Sequence, residues 1–201
     1  MKVPKIHFSE AESKLMKNAE IILTKNVVLE KVKALLEDMQ REQVDFVQRT
    51  ASGSLLFSIP PKISKGENYR GLPYKVLDFP RLFGQEDIFA IRLLFWWGHY
   101  FSATLHLSGR YKSESLPFII QNLPLLAKKG YYLGIHPDPW LHHIEPHTYK
   151  PLSELDQEQF PGFSSSLPHL KIAVSFALED VISEPGLLLE SWKFLLEAAG
   201  G

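Results

Sequence analysis

Cysteine is absent from this 201-residue chain, and that absence removes disulfide frameworks, thiolate zinc sites and cysteine nucleophiles together. Neither sign of charge is in real excess. Twenty-two Lys and Arg stand against 23 Asp and Glu, a formal net charge of -1, so no long-range field draws the chain to nucleic acid or an acidic membrane surface. No run approaches the 18 or so consecutive apolar residues that a membrane-crossing helix needs. The N-terminus turns polar before any stretch of signal-peptide length, so the expectation is a soluble cytoplasmic protein. Repeats and low-complexity tracts are also missing. No Gly-x-Ser-x-Gly elbow and no Gly-x-Gly-x-x-Gly loop occur, and no acid pair stands out by position. The sequence therefore declares no reaction, and whether the chain is an enzyme stays open.

What is present suits one folded domain over residues 1–201, with 45% hydrophobic and 22% charged residues. Residues 1–50 read as a helical part and 51–201 as a sheet with packing helices. The fold class expected is α+β, with a mostly antiparallel sheet of about six strands, an N-terminal helix pair, one internal helix and a C-terminal helix.

Residues 88–108 carry the clearest pattern. Phe89, Ile91, Leu93 and Phe95 form one apolar row, and Phe101, Ala103, Leu105 and Leu107 a second. Putting both rows on one face selects a three-residue connection, Trp97-Gly98-His99, and pairs Phe95 with Phe101, Leu93 with Ala103 and Ile91 with Leu105. The reverse face then carries Arg92, Leu94 and Trp96 against Thr104, Ser102 and Tyr100, with His106 opposite Ala90.

Elsewhere, Ser9 and Glu12 predict a capping box opening a helix to about Thr24, and a second helix runs from about Val27 to Arg49. Ala51-Ser52-Gly53 ends it. Leu55–Ile59 reads as a short strand, residues 60–73 as a basic Pro- and Gly-rich loop, and Tyr74–Phe79 as a strand ended by Pro80. A helix follows over Ser113–Lys129, in which Pro124 is expected to kink or split the chain. Tyr131–Ile135 and Leu170–Leu178 complete the strands, and a closing helix starts near Ser183.

Two places offer chemistry. Arg92, Trp96, Tyr100, Thr104 and His106 on the reverse face combine a guanidinium, hydrogen-bonding groups and an aromatic wall, the mixture used to hold a small anionic or aromatic ligand. The stretch 136–147, HPDPWLHHIEPH, holds four of the eight histidines. His136, Asp138 and His147 there form a candidate ligand set for a divalent metal, with His142 or His143 as a further nitrogen donor, since two histidines and a carboxylate suit an ion with open positions. The prolines exclude the helical His-Glu-x-x-His arrangement of a zinc protease. Three readings follow: a binding or accessory domain for a small ligand, a metal-dependent enzyme using the loop, and an interaction module that is a homodimer through its N-terminal helices or its Trp-rich turn.

Overall fold

A cap fixes where the chain first becomes helical. In the computed structural model, which describes residues 5–51, 53–155, 158 and 160–201, the Ser9 hydroxyl accepts from the Glu12 N–H while the Glu12 carboxylate accepts from that of Ser9. This reciprocal pair opens α1 (Glu10–Met16). Asn18 caps the next helix by accepting from Glu20 N–H, and α2 runs unbroken from Ala19 to Thr50. The break between the two helices thus falls at Lys17-Asn18 and not at Thr24–Val27, because a side-chain cap is available at Asn18. Of the triplet expected to end the helix, Ser52 lies outside the described residues.

The remaining elements are β1 (Lys62–Tyr69), β2 (Leu72–Phe83), β3 (Ile88–Trp96), β4 (Tyr100–Ser108), α3 (Gly109–Lys128), β5 (Tyr132–Gly134), β6 (Tyr149–Pro151), α4 (Phe160–Ser165), β7 (His169–Phe176), α5 (Leu178–Ser183) and α6 (Gly186–Ala198). The strands form one seven-stranded sheet in the order β1-β2-β3-β4-β7-β5-β6, antiparallel at every pairing. The class is α+β, with one strand more than the sequence suggests.

The central hairpin has the register derived from its apolar rows. Phe95 faces Phe101, Leu93 faces Ala103 and Ile91 faces Leu105, with Arg92 opposite Thr104 and Ala90 opposite His106. Gly98 supplies the turn with a φ of 73°, which a side chain would resist.

Four local expectations are corrected. Residues 60–73 are not a loop. They form β1, a tight turn and the start of β2, and Arg70 and Gly71 at the turn both have positive φ, 52° and 84°, as a two-residue type I′ hairpin requires. β1 is an edge strand with little burial, so its polar residues and Gly66 conceal the pattern that reveals a covered strand. Leu55–Phe57 is a single turn of 3-10 helix and not a strand. β2 continues past Pro80 because a register shift between Asp78 and Arg81 accommodates a residue with no N–H to offer the ladder. α3 also runs through Pro124 without interruption, and the three-residue β6 is an addition to the expected strands.

Burial divides the sheet into two unlike faces. Leu77, Ile91, Leu93, Ala103, Leu105, Leu170 and Ile172 point to one side, where α2, α3, α5 and α6 cover them and Leu36, Ile119, Leu126, Trp192 and Leu195 complete a continuous core. The reverse side has only a small apolar group, Val76, Leu94 and Trp96, beside a cluster of buried polar groups.

Candidate functional site

The reverse face of the hairpin and the histidine-rich stretch are one place. Residues 135–148 fold back across the sheet, and Arg92 meets both: its Nε and Nη2 donate to the two carboxylate oxygens of Asp78 at 2.7 and 2.9 Å, while Nη1 lies 2.7 Å from His142 Nε2. A guanidinium only donates, so His142 Nε2 accepts and its proton sits on Nδ1, a buried atom with no partner among the described residues. Burial, then the nearby Lys171 and Arg92 charges, hold His142 well below the usual imidazole range.

Lys171 stands next to this group, 2% exposed. Its ammonium donates to the carbonyls of Pro139 and Leu141 at 2.9 and 2.6 Å, tying the loop to β7. No carboxylate among the described residues bonds to it directly. Burial, reinforced by Arg92, pushes it down to about 7. Gly134 on the neighbouring strand leaves the space: a Cβ there would stand 2.9 Å from that of Lys171. His106 is pushed down to about 3, first by burial and then by Lys171, and its Nε2 has no hydrogen-bond partner among the described residues.

Two tyrosines clamp the rest of the loop. Tyr69 Oη accepts from the backbone N–H groups of His142 and His143 at 2.7 and 3.2 Å, which leaves its own proton for His143 Nδ1 at 2.8 Å. Tyr100 Oη accepts from Ile144 N–H at 2.7 Å, and burial pushes its hydroxyl up to about 12. Trp140, half exposed, packs edge-on over His106 and closes the top. Between Arg92, Thr104, His106, His142, Trp140 and Lys171 about 10 Å³ remains, room for roughly one water molecule.

The sequence-predicted residues therefore divide. Arg92, Thr104 and His106 share the filled cluster, and Tyr100 is a loop clamp. Trp96 is buried beside them, stacked on His99 at 3.6 Å between ring centres, and donates to the Tyr69 carbonyl. Among the histidines, His143, Glu145 and His147 bring ligand atoms within 4.8 Å of one another. His136 and Asp138 stand outside that group. His136 Nδ1 accepts from Asp138 N–H and an Asp138 oxygen accepts from Trp140 N–H, so both shape the loop. The nearer trio is also engaged: the Tyr69 bond leaves the His143 proton on Nε2, and Glu145 is paired with Arg70. A metal would have to displace both interactions.

Open space lies on the opposite face of the sheet. A groove of about 670 Å³ runs between Val28, Lys31, Val32 and Leu35 of α2, Phe95, Trp97, Gly98 and Phe101 of the hairpin, and Leu178 and Ile182 of α5. Its walls are apolar, and among the described residues Lys31 is the one charged side chain lining it. Spacings of one and two helical turns put Val28, Lys31, Val32 and Leu35 on a single stripe, beside the stripe Leu29, Val32, Leu36, Met39 that seals the core. Phe95 and Phe101 form its floor because their row faces the helices.

Comparison with known proteins finds no matching family model, no similar curated protein and no similar solved structure.

Sequence reasoning missed Tyr69, Lys171 and the groove. Lys171 had a signal, as the only charged residue in the otherwise small row Lys171, Ala173, Ser175 of the last strand. Tyr69 had none, because its part in the site depends on a bend 70 residues away in the chain.

Proposed function

We propose that the chain is a binding domain that holds a small apolar ligand with one negative charge, and that the site is the groove beside α2. The observation that carries this reading is open space against an apolar wall: about 670 Å³ in the groove, against about 10 Å³ within the Arg92 cluster and about 520 Å³ in a more polar cleft beside Tyr132, Glu145 and Lys150. The larger volume falls in the range of small-molecule sites, and such sites are mostly apolar with few polar groups to set orientation. Phe95, Trp97 and Phe101 offer aromatic surface, and the exposed Lys31 ammonium at the rim suits a carboxylate head group. The anionic or aromatic ligand class expected from the hairpin is retained, while its position moves to the other side of the same strands. On the polar side Arg92 already has its carboxylate in Asp78.

Isothermal titration with alkyl carboxylates of increasing length tests the reading. Affinity is expected to rise by about fourfold per added methylene, the equivalent of ~0.8 kcal/mol, until the groove is full. Lys31→Gln weakens the carboxylates and leaves the matching alcohols unchanged, whereas Val28→Trp fills the groove and removes both. An absence of heat and of any melting shift across alkyl and aryl carboxylates would sink the proposal.

A further inference from the structure

A buried threonine fixes the turn at the end of the histidine-rich stretch. The Thr148 hydroxyl donates to the His143 carbonyl at 2.6 Å and accepts from Glu145 N–H at 3.0 Å, while the N–H groups of Thr148 and Tyr149 both donate to the Glu145 carbonyl at 2.9 Å. His143, Glu145 and His147 leave this turn with one ligand atom each, every one within 4.8 Å of the other two. His147 Nε2 stands 3.6 Å from Glu145 Oε2. Donors about 2.1 Å from a tetrahedral ion are about 3.4 Å apart. One edge of a coordination shell is therefore close to its final length, and the others close by side-chain rotation.

We infer that His143, Glu145 and His147 bind one zinc ion. Two imidazoles and one carboxylate match the borderline character of zinc and leave a fourth position open, whereas calcium and magnesium favour shells made of oxygen. The two interactions that the ion displaces yield readily. The Arg70–Glu145 pair is exposed on both sides, 48% and 37%, and such pairs are weak, so the ion takes the place of the guanidinium as the cation facing Glu145. When a ring nitrogen of His143 turns to the ion, Tyr69 Oη keeps the backbone N–H groups of His142 and His143 as donors, and the loop stays clamped. Glu145 also borders the cleft of about 520 Å³ that Tyr132 and Lys150 line, which gives water or a small anion room to approach. The site lies across the sheet from the groove and is independent of the ligand reading there.

Isothermal titration of the full chain with zinc chloride is expected to give one site per chain, and cobalt(II) in its place the visible absorption of a four-coordinate ion. His147→Gln and Glu145→Gln change side chains that are 63% and 37% exposed, so the circular dichroism spectrum should stay as it is. Each is expected to weaken zinc by more than about 100-fold, since loss of a mere outer partner already costs about 10–100-fold. Arg70→Gln frees the carboxylate of its competing cation and should tighten zinc by up to about fivefold. Asp138→Asn, outside the trio, should leave the affinity unchanged. No zinc heat, or zinc binding that survives His147→Gln or Glu145→Gln, overturns the site. So does loss of zinc on Asp138→Asn, which would move the ion to the other end of the loop.

Discussion

Gln43 is fully buried on the core stripe of α2, and neither its amide nitrogen nor its amide oxygen has a hydrogen-bond partner among the described residues. An amide that leaves water without a partner costs stability, whereas a hydrocarbon of similar size does not. Gln43→Leu is accordingly expected to raise the free energy of unfolding by about 1–3 kcal/mol in urea titration. An unchanged or lower value would show that the amide is satisfied. Lys171 makes a different residue-scale prediction. Its folded value, about 7, lies below the ordinary 10.5, so between those limits the unfolded chain binds the extra proton and stability rises with pH. The wild-type chain should therefore gain on Lys171→Met by up to about 1.4 kcal/mol per pH unit above pH 7. A difference independent of pH between 7 and 9 would place the amine in water.

At the scale of elements, the loop over the polar face is held by donors and acceptors drawn from four strands, through Tyr69, Arg92, Tyr100 and Lys171. Tyr69→Phe removes one oxygen and leaves two backbone N–H groups of the loop without their acceptor. The expected result is a loss of about 1–3 kcal/mol together with faster amide exchange confined to residues 140–144. Exchange that spreads evenly through the sheet would mean that the loop is not a separate unit. Legibility follows the same division. The hairpin could be read to the residue because its apolar rows alternate over nine positions on each arm, and a slip by one would oppose Phe to Ser throughout. β1 could not, since an edge strand has no buried row to betray it. The meeting of the hairpin face with residues 136–147 depended on where a proline-rich loop returns, which no local period encodes. For the same reason the ligand set read from the sequence, His136, Asp138 and His147, differs from the group that folding brings together, His143, Glu145 and His147.

For the whole molecule, the buried histidines tie stability to acid. His106 is depressed to about 3 and His142 well below 6.5, each chiefly by burial. His143 and His169 are lowered as well, again with burial as the largest cause. All four bind protons more readily in the unfolded chain, so the stability they contribute is complete above pH 6.5 and is lost as pH falls towards their folded values. His106 should remove up to about 1.4 kcal/mol for every pH unit between 6.5 and 3, and His142 acts in the same direction. By pH 4 the His106 slope alone amounts to about 3.5 kcal/mol, a large share of a typical total of about 5–15 kcal/mol, and His142 adds to it. Acid unfolding near pH 4–5 is therefore expected, and His106→Leu should move the midpoint lower. Both the sheet and the loop lie against these side chains, so circular dichroism and Trp140 fluorescence should change together. A chain still folded at pH 3.5, or a His106→Leu variant with an unshifted midpoint, would mean that the imidazoles accept protons without leaving the sheet.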